Sequence, residues 1–242
     1  MSTLRAFGTN DLKSIRRDPA LFYMLVIPPL MIPTARFLLP AAAAYLSENF
    51  GFDLVPYYPM LLSFFFVLQI PMLFGVLVGL LVLDEKDDDT LMALRVTPIS
   101  MTGYALYRGA AAVLLGALYV CIALPLTGLL PSSLLPAMVP VALLSGLTAP
   151  VFALLLAALA RNKVEGLALM KALSVFMLGP LAAYFVGSGW QILFGVLPTY
   201  WPAKAFWVAA EGGPFWPYVL VGLTYNLALT TLLLKRFRKK VF

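Results

Sequence analysis

Five carboxylates and one lysine occupy the six consecutive positions 84–89, in a chain that is otherwise nearly all apolar. Carboxylates in such a cluster bind cations, form ion pairs with a partner surface, or are simply solvated. The alternating acidic spacing of a calcium-binding loop is absent here. A cation site is therefore the less favoured interpretation, and ion pairing with a partner competes with plain solvation.

The residues that follow the acids predict a short amphipathic helix. Asp89 is a suitable N-cap, and Leu91, Leu94 and Arg95 share one face at helical spacing. Thr97-Pro98 ends the helix, because the residue before a proline is disfavoured in the α region. A helix of two turns is not stable alone in water. We therefore expect it to dock on another loop or on a second protein at the membrane surface.

The residue types needed for most catalysis are missing. The sequence has no histidine, and its single cysteine, Cys121, lies in an apolar run. This excludes histidine-dependent triads and argues against a thiolate metal cluster. No Gly-Lys-Ser or Gly-Lys-Thr loop is present, so Walker-type ATP binding is not expected. No Asp or Glu falls in the middle of a predicted span, where ion-driven transporters usually need one.

Composition predicts an integral membrane protein. The chain is 62% hydrophobic and 12% charged, against about 25% charged residues in a soluble domain. Its 242 residues have room for about six spans of roughly 20 residues. We predict an all-α, polytopic single domain over residues 1–242, with spans at Leu21–Leu39, Pro59–Leu83, Gly109–Leu130, Val139–Ala160 (interrupted by Pro150), Gly166–Val186 and Tyr218–Leu234.

Two segments outside the spans also predict structure. Residues 1–20 form an interfacial helix in this interpretation, and a frayed basic terminus is the alternative. Residues 187–217 are aromatic and rich in proline, which predicts a re-entrant or interfacial pair of short helices. An ordinary exposed loop is the alternative there. The connections at 41–58 and 131–137 are predicted to be short.

Basic residues set the expected orientation. All of the 17 Lys and Arg residues except Arg36 and Lys204 fall on the side that carries both termini and the loops at 84–108 and 161–165. The positive-inside rule then places both termini in the cytoplasm. Lys171 is interpreted as one of these topological residues. The net charge of +6 is explained by this bias, without a nucleic-acid partner.

Residues 84–100, which we call the acidic loop, also resemble part of a known family. Glu85–Asp87, Thr90-Leu91, Leu94 and the ending Val96–Ser100 are similar to the cytoplasmic loop of permease subunits of ABC type-2 exporters. Asp89 stands where that family usually has glycine. The resemblance covers the six-span layout, and the short outer connections look most like small drug- and antibiotic-export permeases, including the fluoroquinolone-exporter-like group.

Two further stretches support this resemblance. Arg17–Pro19 resembles the end of the family's N-terminal elbow helix. Leu197–Pro202 resembles its re-entrant segment before the last span.

The resemblance implies a dimer of permeases, each docked on a cytoplasmic ATPase subunit that binds ATP and Mg²⁺. Residues 84–100 would form the coupling loop and Asp89–Val96 its helix, with Leu91, Met92 and Leu94 in a cleft of the ATPase. Glu85, Asp87 and Arg95 would make ion pairs at its rim, and 161–165 would be a second candidate contact. The expected coupling residues are Glu85, Asp87, Asp89, Leu91, Met92, Leu94, Arg95, Arg161 and Lys163.

The resemblance also implies that the second and fifth spans line the substrate route. A wall rich in methionine and phenylalanine adapts to amphipathic molecules. Packing against lipid or a neighbouring helix is the alternative role for such residues. Gln69 is the strongest candidate, because a mid-span amide needs a partner. The candidates are Phe64, Phe65, Gln69, Met72, Phe176, Met177 and Tyr184.

The leading hypothesis is thus the transmembrane subunit of an ATP-driven exporter in the cell membrane, which moves an amphipathic small molecule, lipid or peptide outward. The chain itself would be no enzyme and would bind no cofactor. The alternative is an ATP-independent facilitator or a membrane-embedded scaffold or assembly factor. An intramembrane enzyme is least favoured, because the catalytic residue types are missing.

Overall fold

The computed structural model describes residues 3–88, 90, 101–187 and 189–241. Within these ranges there is no strand, and six helical segments are long and apolar enough to cross a membrane. The predicted all-α, six-span architecture is confirmed. The first to sixth spans are Pro19–Phe50, Val55–Asp87, Gly103–Thr127, Ser132–Leu159, Lys163–Tyr184 and Trp216–Phe237.

Each span is built from shorter regular pieces. An N-terminal helix, Thr3–Arg17, precedes the first span. The α-helices of the spans are Pro19–Pro33, Leu39–Phe50, Tyr58–Leu62, Gln69–Asp87, Met101–Thr127, Met138–Gly146, Thr148–Leu159, Lys163–Leu173, Val175–Tyr184 and Trp216–Val241. Two π-helical turns, Thr34–Leu38 and Ser63–Leu68, interrupt the first two spans, and short 3₁₀ turns lie at Val55–Tyr57 and Ser132–Ala137.

The second span is the centre of the bundle. Its most apolar window is 89% buried, against 22% for the first and sixth spans. It packs on the fourth span through Gly75 and Gly79, one helical turn apart. A Cβ atom added at Gly75 would lie 2.3 Å from the carbonyl oxygen of Ala149, and one at Gly79 would lie 3.1 Å from that of Ala153. Such close backbone approach through small residues is typical of helix packing in membranes.

Prolines in the spans leave carbonyl groups without their helical partner, and hydroxyl groups from neighbouring elements bind them. Pro71 has no N–H for the carbonyl of Val67, and the Ser145 hydroxyl donates to that oxygen instead. The backbone N–H of Gln69 bonds the carbonyl of Phe64, which closes the π-helical turn. These bonds give the carbonyls of Val67 and Phe64 a partner where the second span passes Pro71.

The fourth and fifth spans are interrupted in similar ways. The fourth span breaks at Leu147, because Pro150 has no N–H for the carbonyl of Gly146. In the fifth span, Pro180 releases the carbonyl of Phe176. The Thr199 hydroxyl donates to that carbonyl over 2.6 Å.

Several predicted boundaries were wrong. The first span continues as a helix to Phe50, so most of the predicted connection at 41–58 is helical, and Gly51 ends it with a φ of 63°. The second span continues to Asp87, so the first acids are helical and not part of a loop. The helix of the third span includes Met101, ahead of the predicted start of this span at Gly109. These helices extend beyond the apolar runs because the added sequence is rich in alanine, which favours helix, or carries polar residues whose charges are paired.

The segment before the sixth span contains two short helical pieces, the 3₁₀ turn Gly189–Val196 and the helix Tyr200–Ala210. The helix is buried: Tyr200 and Phe206 are each 1% exposed, and the Trp207 indole donates to the Ser63 hydroxyl over 2.7 Å. It is therefore part of the core rather than an exposed loop. Its depth in the membrane, and the interfacial position of the N-terminal helix, stay predictions.

Candidate functional site

Charged side chains from four parts of the chain meet at one end of the bundle. They come from the N-terminal helix with Asp18, from 84–87 at the end of the second span, from 104–108 in the third span, and from the connection 161–165. We call this region the charged end. It is the end that the basic residues predict to be cytoplasmic, and the acidic loop leaves from it.

The first cluster of the charged end is centred on Arg108. Its guanidinium nitrogens lie 2.7 Å from Asp11 Oδ2 and 2.5 Å from Glu85 Oε1. The Tyr104 hydroxyl donates to Glu85, and the guanidinium donates to that hydroxyl oxygen over 3.3 Å. Arg108 is 5% exposed and Glu85 is 8% exposed. The cluster therefore joins the N-terminal helix to the second and third spans inside the protein.

The second cluster is centred on Lys163, at the start of the fifth span. Its ammonium lies 2.5 Å from Asp18 Oδ2 and 2.6 Å from Asp84 Oδ2. Its backbone N–H donates to Asp87 Oδ2 over 2.9 Å. Asn162 caps the same helix by accepting from the N–H of Glu165 over 2.9 Å. These bonds tie the first, second and fifth spans together next to the acidic loop.

Asp18 has two roles in this cluster. It is the N-cap of the first span, because its carboxylate accepts from the N–H groups of Ala20 and Leu21. Burial acts to raise the pKa of Asp18, but the Lys163 ammonium and these N–H groups outweigh it, so the pKa lies below its ordinary value. The carboxylate is therefore charged at neutral pH, which the ion pair with Lys163 requires.

Replacing Lys163 with methionine is expected to loosen the N-terminal helix. Both of its ion pairs are partly exposed, so each contributes only about 1 kcal/mol or less. Without Lys163, Asp18 loses its ion pair, and the junction between the N-terminal helix and the first span is held less tightly. Trypsin cleavage after Arg16 or Arg17, followed by mass spectrometry, should therefore become a few times faster.

Arg161→Gln is the matched control for this change. It lies two positions away in the same connection, and it is the backbone N–H of Arg161, not its side chain, that donates to Glu165. Equal cleavage rates in the two variants would contradict the role assigned to Lys163.

Four of the nine predicted coupling residues, Glu85, Asp87, Arg161 and Lys163, lie within the described residues. Glu85 lies inside the protein with Arg108 and not at a rim, whereas Asp87 accepts from the backbone of Lys163. Lys163 itself pairs with Asp18 and Asp84. Asp89, Leu91, Met92, Leu94 and Arg95, and with them the predicted coupling helix Asp89–Val96, lie outside the described residues.

A groove between the second and fifth spans brings together four of the seven predicted substrate-path residues. Its volume is about 540 Å³, within the range of about 300–1,000 Å³ for sites that hold drug-sized molecules. The wall is apolar apart from three side chains, Gln69, Lys171 and Ser174. The lining residues are Phe64, Gln69, Met72, Leu73, Met170, Lys171, Ser174, Met177 and Leu178.

The other three predicted path residues lie elsewhere. Phe65 lines a separate pocket between the first and second spans. Phe176 packs edge-on against Phe152 and lines a groove beside Leu197. The Tyr184 hydroxyl donates to the carbonyl of Pro56 over 3.1 Å. The structure therefore divides the single predicted wall among several positions.

Sequence reasoning missed two groups of residues. Tyr104 and Arg108 were not recognised as partners of Glu85, nor Asp11 as the second partner of Arg108. Lys171 was not placed in the groove that Gln69 lines. A signal existed for the first group, since an arginine and a glutamate both border apolar runs. Their pairing across the chain has no fixed spacing to reveal it.

The fold and the groove define a six-span helical membrane protein with an amphipathic cavity and a charged end. The chain belongs to the family described as fluoroquinolones export permease protein Rv2686c-like, which it matches over residues 11–234. The predicted resemblance to the fluoroquinolone-exporter-like group is thus confirmed.

Two relatives come from Mycobacterium tuberculosis: fluoroquinolones export permease protein Rv2686c of strain ATCC 25618 / H37Rv, and fluoroquinolones export permease protein MT2760 of strain CDC 1551 / Oshkosh. Each is 41% identical to this chain over 238 residues, which cover 98% of this chain and 94% of the relative. No solved structure matches the chain.

Proposed function

We propose that this chain is the transmembrane subunit of an ATP-driven exporter of the ABC type-2 class. It would move an amphipathic small molecule of the fluoroquinolone kind out of the cytoplasm, as the names of its relatives suggest. A separate ATPase subunit would bind ATP and Mg²⁺, and a second permease would complete the complex. Both termini and the charged end would face the cytoplasm.

The observation that carries this proposal is the construction of the charged end. Two ion-pair clusters fix the end of the second span, where the acidic loop begins, to the N-terminal helix and to the starts of the third and fifth spans. A loop mounted on such a framework transmits force to several spans at once. This is what an ATPase acting from outside the membrane requires.

The experiment is a pull-down of the detergent-solubilised protein from its native membrane, followed by an ATPase assay. A Leu91→Asp, Leu94→Asp double variant places two charges on the apolar face of the predicted coupling helix. We expect ATPase to co-purify with wild type and to fall by about tenfold or more with this variant, which is the effect of losing about 1.4 kcal/mol of binding energy.

A Leu91→Met, Leu94→Met double variant is the matched control, because it keeps the face apolar at similar volume. It should retain the ATPase. Equal recovery with the aspartate variant would reject the coupling role of the loop. Recovery of no ATPase with wild type would instead favour an ATP-independent facilitator or scaffold.

A further inference from the structure

The groove between the second and fifth spans contains a cation without a carboxylate partner among the described residues. The salt bridges of the described residues are made by Arg108 and Lys163 at the charged end, and none involves Lys171. Lys171 lies about 12 Å further along the fifth span than Lys163, at 1.5 Å per helical residue. Lys171 is exposed and lines this groove. An ionisable residue that faces a cavity within a span is by default a candidate functional residue.

Gln69 gives this groove a second hydrogen-bond donor. It lies near the middle of the second span, directly after the π-helical turn, and it lines the same groove as Lys171. π-Helical turns within α-helices are frequent at functional sites. Within the part of the chain that the structure describes, neither the Gln69 amide nor the Lys171 ammonium has a side-chain acceptor.

The missing acceptor cannot come from the spans of a second copy of the chain. The sequence has 11 Asp and Glu residues, and every one lies near the end of a span or outside the spans. Two permeases facing each other across the groove would therefore bring no carboxylate to the level of Gln69. An anion at this level has to come from another molecule.

We propose that this groove binds an aromatic carboxylate, with Lys171 and Gln69 holding the carboxylate group. This inference rests on the proposed function and names the part of the substrate that the permease recognises. The Lys171 ammonium supplies the charge and the Gln69 amide donates to the second oxygen. Phe64, Met72 and Met177 pack against the aromatic body, because phenylalanine and methionine adapt to planar apolar groups.

The test measures binding, without ATP or transport. The purified protein is placed in nanodiscs of neutral phosphatidylcholine, so that no anionic headgroup competes. Equilibrium dialysis at mildly alkaline pH then compares flumequine, a fluoroquinolone whose single charge is its carboxylate, with its neutral ethyl ester. Wild type should bind the acid about tenfold more tightly than the ester, as expected for a charge-assisted hydrogen bond.

Lys171→Ala should remove this preference, and Lys171→Arg should restore most of it because the charge is kept. Gln69→Leu should weaken binding of the acid more than that of the ester. Lys13→Ala is the matched control, since Lys13 is exposed on the N-terminal helix and far from the groove. It should bind both compounds like wild type.

Each other result overturns the inference. If wild type binds acid and ester alike, or if Lys171→Ala keeps the preference, the groove does not select carboxylates. If wild type binds neither compound, the class of ligand is wrong. In all three cases the proposed function stands or falls separately, on co-purification of the ATPase with the acidic loop.

Discussion

Replacing Arg108 with leucine should lower the free energy of unfolding by about 3–5 kcal/mol. The guanidinium is the common partner of Asp11 and Glu85, and Glu85 is only 8% exposed. Removing one partner leaves a buried carboxylate uncompensated, which is the costly way to break an ion pair. Unfolding of the purified protein in mixed micelles, followed by circular dichroism with increasing SDS, measures the loss.

A double variant tests whether this loss of stability comes from the unpaired carboxylate of Glu85. Arg108→Leu combined with Glu85→Leu removes the guanidinium and the more buried of its two carboxylate partners, leaving only the more exposed Asp11. Replacing a buried pair by apolar residues is often neutral. The double variant should therefore recover a large part of the stability. Arg16→Leu, on the exposed side of the N-terminal helix, is the control. If Arg108→Leu is no less stable than this control, the cluster does not hold the charged end together.

Gly75→Ala should destabilise the protein by about 1–3 kcal/mol, the usual cost of overpacking. The added Cβ would lie 2.3 Å from the carbonyl oxygen and 3.0 Å from the carbonyl carbon of Ala149. Because these are backbone atoms, no rotamer change relieves the clash, and the second and fourth spans have to separate. The same SDS unfolding experiment measures the effect.

Gly109→Ala is the control, and its expected effect on stability has the opposite sign. Gly109 lies in the helix of the third span, and the nearest atom to an added Cβ is Pro150 Cβ at 4.0 Å. Alanine has the higher helix propensity by about 1 kcal/mol, so this variant should be as stable as wild type or more stable. Equal destabilisation at both glycines would show that loss of flexibility, not close packing, matters at Gly75.

The spans could be predicted because lipid imposes a length and an apolar composition on each of them. Their ends could not be predicted as well, because the helices continue into polar sequence. Asp84 and Glu85 look like loop residues by composition, yet both are helical because Lys163 and Arg108 compensate their charges. That compensation depends on tertiary structure, which hydropathy does not report.

The residues that line the groove could be predicted only in part, because their positions also depend on the local helix geometry. Phe64 and Gln69, two of the predicted path residues, line one groove, and residues before and after the π-helical turn do not follow α-helical spacing. The face on which each side chain lies therefore shifts within the span. Phe65 follows Phe64 directly, and adjacent helical residues do not share a face, so Phe65 lies towards the first span and lines a different pocket.

The ion pairs of the charged end also set an order of events while the protein is being made. Asp11 and Arg108 are 97 positions apart, and Asp84 and Lys163 are 79 apart. At about 5–20 residues per second, Asp11 waits roughly 5–20 s for its partner to leave the ribosome. The N-terminal helix can therefore form its ion pair with Arg108 only after the third span has been made. The ion pairs of Lys163 form later, with the fifth span.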